Sequence, residues 1–413
     1  MDRIFSSLKK RTWWILFGYT ISLFGTGLTD PFLILYLHQL RAFSLSLSGL
    51  VIGTSGFAGA VAIPISGLLI DRFGEKRAFL SALIMSALGR IAYAGASRLE
   101  WAFLAAVLSG AGAAAAWNAL SVVLANLVKK TQRASIFGVA FALQNMGLGL
   151  GSAFSGLLFQ THHLIIFQMM FFCDAATYVL FTLFAYGQIE ENHKQLRTRY
   201  KFDMRYFSLR TMTGHDQALL LLSFGYFVIG TVMTGITSTL FPQWVTVQAR
   251  ASTNIVGQAF LANSIVIVLG QVIVLKIMKN KRRTRVLAAS VFIFAAGYSM
   301  IFISGFAHSK AASLALISAL SVTAVGETLL FSTVPALANE LAPMQAKGRY
   351  NSVINTAWQM DAIIGPMVTG IGLGMHQDER LLLLSIMYSI RYTSSICVSS
   401  ILVSPVIIGI LNG

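Results

Sequence analysis

Charge is what this chain has least of. Only 11% of its 413 residues are Asp, Glu, Lys or Arg, against roughly 25% in a soluble domain. With 56% hydrophobic residues and a mean hydropathy of +0.71, this scarcity excludes an ordinary soluble domain and leaves an integral membrane protein. Cysteine is scarce too. Cys173 and Cys397 both lie in apolar runs, so free thiols packed in helices are expected, with no disulfide. No Gly-rich loop ends in Lys-Ser or Lys-Thr, which argues against a nucleotide-driven motor. No His/Cys/acid cluster has metal-ligand spacing. The seven histidines fall in or beside connections, which speaks against a histidine proton relay. No cofactor, no metal and no enzymatic reaction are therefore expected.

Acids are scarcer than bases, 15 against 31, for a net charge of +16. The bases sit in short clusters between apolar runs, where they orient helices rather than bind nucleic acid. Arg3, Lys9, Lys10 and Arg11 precede a run over 13–37 that is too long for a signal peptide and long enough to span. Twelve spans are read: 13–37, 47–70, 78–97, 101–127, 136–159, 164–187, 217–245, 254–278, 286–307, 311–338, 350–374 and 381–411. Connections on one side carry most of the Lys and Arg. Those on the other carry only Arg41, Arg98, Arg250, Lys310 and Arg380. The asymmetry places both termini and the long middle connection in the cytoplasm, in a cell membrane of the bacterial inner type. The middle segment 188–216 holds Lys194, Arg197, Arg199, Lys201, Arg205 and Arg210. It reads as a linker between 1–187 and 217–413, with basic residues suited to lipid headgroups.

The second connection carries the most specific motif. Gly67-Leu68-Leu69-Ile70-Asp71-Arg72-Phe73-Gly74-Glu75-Lys76-Arg77 is a short charged turn between two apolar runs. It resembles the loop between helices 2 and 3 of the major facilitator superfamily at Gly67, Leu69, Asp71, Arg72, Gly74, Lys76 and Arg77, with Glu75 replacing a usual base. The resemblance implies an all-α integral membrane fold of twelve transmembrane helices in two pseudo-symmetric six-helix bundles. It also implies that Gly67, Asp71, Arg72, Gly74, Lys76 and Arg77 form a cytoplasmic gate. The chain itself repeats: Phe17-Gly18-Tyr19 returns as Phe224-Gly225-Tyr226, Thr26-Gly27-Leu28-Thr29 as Thr234-Gly235-Ile236-Thr237, and Leu124-Ala125-Asn126 as Leu337-Ala338-Asn339. Parallel repeats of this kind place a substrate site between the halves.

Four carboxylates fall within spans: Asp30, Asp174, Glu327 and Asp361. A charged carboxylate at mid-bilayer depth costs about 2.5–3.5 kcal/mol on insertion scales, so each needs a partner, a wet cavity or a proton. Glu327 lies mid-span with no base near it in sequence. Gly326-Glu327, Pro335, Asn339-Glu340, Gly348-Arg349 and Gln144-Asn145 look like the LmrP-type drug/proton antiporters, whose helix 10 glutamate is implicated in proton coupling and cationic-substrate binding. That role carries over to Glu327. Asp361 falls opposite Asn145 when Arg133 is aligned with Arg349 and is the second proton-coupling candidate. Asp30, before Pro31, is the third; it either serves the irregularity that proline causes or lines the outer cavity. Asp174 is expected in a structural pairing. The partners of Arg90 and Arg391 stay open.

The candidate substrate-binding residues are Tyr19, Phe24, Trp117, Asn118, Gln144, Asn145, Met146, Thr234, Trp358 and Gln359, because aromatics and methionine suit bulky apolar cations. The chain departs from the superfamily in three places. The antiporter signature of helix 5 lacks its proline and one glycine at Gly147-x-x-x-Gly151-Ser152-x-x-Ser155-Gly156. Ala106 replaces the helix 4 arginine. Val123 stands where an acid partner of the Asp71 region is expected, leaving Asn126 as a neutral acceptor. The expected function is proton-coupled efflux of lipophilic or cationic small molecules by alternating access, a multidrug-type antiporter acting as a monomer among membrane lipids. The alternatives are a proton-coupled importer of a small metabolite and a lipid or amphiphile translocase.

Overall fold

The computed structural model describes residues 10–129, 132–159, 163–189, 214–278, 281–307, 309–342, 347–375, 377 and 379–387. All its regular structure is helical: α1 Lys10–Leu40, α2 Leu45–Phe73, α3 Glu75–Ala94, α4 Leu99–Leu127, α5 Arg133–Phe159 and α6 Leu164–Gln188. A second set follows, with α7 Gly214–Gly235 continuing to Val247, α8 Asn254–Met278, α9 Arg283–Ser304, α10 Ser309–Leu341 and α11 Lys347–Gly374. Residues 379–387 are again helical. The rest of the expected last span, with Arg391 and Cys397, lies outside the described residues, as does most of the expected linker.

Among the described residues ten helices, α1 to α10, are long and apolar enough to cross a membrane. α11 is not among them; Asn355, Gln359 and Asp361 interrupt its apolar residues. Large apolar side chains face outward, including Leu68, Leu183, Leu269 and Ile303, as hydrocarbon surroundings permit and water does not. Cys173 is a free thiol but exposed on α6 rather than packed.

Local sequence explains how the helices begin and bend. Ser44 caps α2 by accepting from the Leu47 backbone N–H at 3.2 Å. Gly74 separates α2 from α3 at φ +88°, a left-handed conformation that favours glycine. α3 therefore starts at Glu75, an acid on the positive helix end, about a turn before the expected start at 78. Pro31 produces the irregularity foreseen for it. α1 tightens into a 3-10 turn at Asp30–Phe32 and widens into a π-turn at Tyr36–Leu40. α7 carries a comparable π-turn at Ile236–Leu240, just before Pro242.

In the first set α1 packs on α5 and α6, α2 on α4, and α3 on α4 and α6. In the second α7 packs on α11, and α8 and α9 on α10. Two seams join the sets, α2 with α11 and α5 with α8. Small residues allow backbones to meet there. A side chain added at Gly49 would strike the Pro366 carbonyl and Gly370, one at Gly56 the Ala362 carbonyl, and one at Gly257 the Ser152 carbonyl and Gly156. Further along the same helices, Gly67, Gly138 and Gly270 have nothing within 4 Å. The sets are thus closed on each other at one end and splayed at the end that bears the α2–α3 turn.

Candidate functional site: a central cavity and the acids around it

The splay leaves a cavity of about 760 Å³ between the two sets, walled by α2, α4 and α5 on one side and by α7, α10 and α11 on the other. Its residues on α2 begin at Ala60, one turn past Gly56, so it starts where the closed seam ends. Aromatic pairs flank it. On one side Trp117 stacks with Tyr19 at 5.9 Å between ring centroids, and Tyr19 donates its hydroxyl to Gln144 Oε1 at 2.9 Å. On the other, Trp358 stacks with Tyr226 at 6.0 Å and meets Phe331 edge-on at 4.7 Å. Tyr19 and Tyr226 are the two tyrosines of the repeated Phe-Gly-Tyr. The tyrosine of each pair therefore comes from the internal duplication, whereas Trp117 on α4 and Trp358 on α11 stand at different places in the two sets.

Of the expected substrate residues, Trp117, Asn118, Trp358 and Gln359 line the cavity. Asn118 is held by its amide, which donates to Ser66 Oγ at 2.7 Å. Tyr19 and Gln144 support Trp117 from behind. Four others do not line it. Phe24 packs toward Phe154, Met146 is exposed away from the lining, and Asn145 is buried with its amide donating to the Phe141 carbonyl at 3.0 Å. Thr234 donates to the Asp361 backbone carbonyl at 3.0 Å. Tyr226, Phe331 and Asn355 line the cavity without having been singled out. The repeat marked Tyr226, but nothing in its own neighbourhood ranked it above other tyrosines.

Asp361 lies one residue beyond Met360 of the cavity wall and is fully buried. Neither carboxylate oxygen has a hydrogen-bond partner. Oδ2 presses on α7 at Gly230, where any added Cβ would overlap it; glycine is what lets α7 come this close. Glu327 is half-buried on α10. It faces the side-chain amide of Asn263 on α8 and the Tyr298 hydroxyl on α9, which itself has no hydrogen-bond partner. Among the described residues, neither acid has an ion pair. Asp30 differs: it is bound to Arg90 at 2.5 Å, at the closed end and away from the cavity. Arg90 also holds Asp174 at 3.1 Å, which identifies the partners of Arg90 that the sequence left open; Arg391 lies outside the described residues.

At the splayed end, Asp71, Arg72 and Arg77 are exposed. Lys76 Nζ sits 4.5 Å from the Tyr186 ring centroid. Asn126, expected to accept hydrogen bonds in the Asp71 region, instead donates its amide to Glu75 Oε2 at 2.9 Å. The acid that departs from the superfamily loop thus meets the amide that follows Val123 on α4.

A cavity enclosed by two repeated sets of apolar helices, open at one end and shut at the other, is the architecture of a membrane transporter. The chain matches the family model of the Major Facilitator Superfamily over residues 15–366 and belongs to that superfamily. It is 25% identical to the uncharacterized MFS-type transporter YttB of Bacillus subtilis (strain 168), covering 90% of both chains. It is 24% identical to the quinolone resistance protein NorA of Staphylococcus aureus over 156 residues, 38% of this chain and 40% of NorA. Among solved structures, a mutant form of the nucleoside transporter NupG superposes with a TM-score of 0.78 at 10% identity, covering 94% of this chain and 99% of NupG. That likeness establishes the shared fold.

Proposed function

We propose that this chain exports lipophilic or cationic small molecules in exchange for protons. The observation that carries the reading is Asp361: a carboxylate buried beside an aromatic-walled cavity, with no cation and no hydrogen-bond donor among the described residues. Burying a lone carboxylate is costly, and the cost is relieved by a proton or by a positively charged substrate. The two reliefs compete, and competition of that kind is what couples an exchange. Glu327, which among the described residues has an amide and a phenol beside it and no cation, acts with Asp361. Trp117, Tyr226, Phe331 and Trp358 offer ring faces to an apolar cation. The similarity to NorA, named for quinolone resistance, supports export over import.

In the hypothesised cycle the end bearing the α2–α3 turn is cytoplasmic, as the basic connections indicate, and the closed end faces outward. The halves 1–187 and 217–413 rock about the cavity, joined by 188–216. Opening outward admits protons to Asp361 and Glu327 and displaces the substrate; return releases the protons inside. One proton crossing about 100 mV yields about 2.3 kcal/mol, enough for a modest substrate gradient.

The test is uphill movement of a fluorescent lipophilic cation in inverted membrane vesicles, with and without an uncoupler. Wild-type protein should accumulate the dye only while the gradient stands, and Glu327→Gln and Asp361→Asn should each lose that accumulation. Uphill transport by the double variant equal to wild type would remove both carboxyls from the mechanism. Accumulation in right-side-out vesicles instead would make the protein an importer.

A further inference from the structure

Three charged side chains outside the cavity meet at the closed end, between α1, α3 and α6. Arg90 is buried. Its Nη1 lies 2.5 Å from Asp30 Oδ1 and its Nε 3.1 Å from Asp174 Oδ2. Thr29 donates its hydroxyl to the same Asp174 oxygen at 2.8 Å and accepts from Arg90 Nη1 at 3.2 Å. Asp174 is wholly buried, whereas 47% of the Asp30 side chain is exposed. The other Asp174 oxygen, Oδ1, is buried without a hydrogen-bond partner. It points at Gly25 of α1, where an added Cβ would lie 2.7 Å from it and overlap Thr177 Oγ1 as well.

The charges here do not balance. Two carboxylates face one guanidinium, and among the described residues no other cation is at hand. The remaining titratable groups around the cluster are phenols: Tyr93 on α3 and Tyr178 on α6, whose hydroxyl pairs with Thr26 at 3.0 Å. Arg41 is committed elsewhere, to the Tyr36 hydroxyl and the Ala94 carbonyl. α5 and α4, packed on α1 and α3, bring Ser155 and Ser109 to their contacts and, among the described residues, no charged group. The 3-10 turn at Asp30–Phe32 touches α8 and the π-turn of α7. That π-turn is uncharged, and the only charged residue of α8, Lys276, is at its far end.

One negative charge is therefore left over in a cluster whose inner carboxylate is wholly buried and, among the described residues, has one oxygen without a donor. A space too small for a methyl group has no room for a metal ion and its ligands, but a proton fits. We propose that Asp30, Arg90 and Asp174 form a proton-binding site in which two carboxylates share one guanidinium and one proton. The proton exchanges with water at the exposed edge of Asp30, and its resting place is the unpartnered oxygen of Asp174. With it bound the cluster is neutral; without it the cluster carries a single negative charge. The same Asp30 turn helps form the contact between the two sets, so loading the site bears on the closed end. The site is separate from Glu327 and Asp361 and does not require the coupling role proposed for them.

Infrared spectroscopy of the purified full-length protein, with aspartate labelled by carbon-13, reads protonated aspartates directly through their carboxyl stretch. The measurement is made at neutral pH in an Asp361→Asn background, so that the cavity acid does not contribute. One protonated-aspartate band is expected, and Asp174→Asn should abolish it. Asp30→Asn should abolish it equally although Asp174 remains, because Arg90 then neutralises a single carboxylate. Asp30 is half exposed, so its variant carries the test alone if Asp174→Asn does not fold. Absence of the band from the Asp361→Asn protein, or its persistence in Asp30→Asn, would overturn the proposal and leave an ordinary ion-paired cluster.

Discussion

Asn145 on α5 and Asp361 on α11 hold corresponding places in the two repeats, and they manage burial differently. The amide has its own donors and turns one back to the Phe141 carbonyl a turn earlier. The carboxylate accepts only, and among the described residues no donor reaches it. The contrast extends through the two sets. In the first, both interior acids, Asp30 and Asp174, converge on Arg90. In the second, Glu327 and Asp361 face an amide, two phenols and a glycine. A duplicated scaffold has thus placed acids that share one guanidinium in one half and, among the described residues, acids without a cation in the other. Of the latter, Asp361 adjoins the cavity wall, and Glu327 faces α8 and α9.

The sharpest way to break this contrast is to remove the charge in each half and compare the signs. Arg90→Ala leaves the buried Asp174 carboxylate without its cation and should destabilise the protein by about 3–5 kcal/mol, seen as a large fall in melting temperature or loss of folded protein. Asp361→Asn removes a charge that no described residue compensates and supplies a donor in the Asn145 manner. It should leave the melting temperature equal or higher. A fall comparable to that of Arg90→Ala would mean that Asp361 is engaged in a stabilising interaction, and the two halves would no longer differ in kind.

A second contrast runs along the seams rather than between the halves. Gly49 and Gly67 lie on one helix, but only the first is in contact with α11. Gly49→Val should drive the closed end apart. Overpacking of this sort costs about 1–3 kcal/mol, and cysteines placed near the closed end of the seam should become more reactive to a water-soluble thiol reagent. Gly67→Val meets open space in this state and should not change that reactivity. If both substitutions behave alike, the difference between the ends of α2 is not what holds the closed end shut.

The helices were legible because their signals are local: long uncharged runs, a glycine turn at Gly74 and Pro31 disturbing α1. The duplication was legible too, and it carried Tyr19 and Tyr226 to matching walls. The partners of Arg90 were not, because Asp30 and Asp174 reach it from helices far away in sequence. Which side of a helix faces the void was equally hidden. Thr234, Asn145 and Met146 are at suitable levels on suitable helices, but Thr234 and Asn145 bond to backbone carbonyls and Met146 turns away from the lining. In apolar spans both faces are hydrophobic, so periodicity, which marks the buried face of a soluble helix, carries little information.

The smallest expected effect concerns the splayed end, where the repeats again use different chemistry for one task. Glu75, the first residue of α3, receives the amide of Asn126 from the end of α4. Arg283, the first residue of α9, pairs with Glu340 from the end of α10. Each contact ties neighbours within one set and none crosses the cavity. All four groups are near the surface. A double-mutant cycle on Arg283 and Glu340 should therefore give a coupling of only about 0.2–1 kcal/mol, shrinking as salt rises. The Glu75–Asn126 cycle, with one neutral partner, should respond less to salt. Because both pairs sit inside a set, Glu75→Gln and Glu340→Gln should leave the accessibility of the cavity to a thiol reagent unchanged. A shift in that accessibility would show that these ties do more than hold α3 to α4 and α9 to α10. The replacement of the usual base by Glu75 would then bear on how readily the splayed end closes.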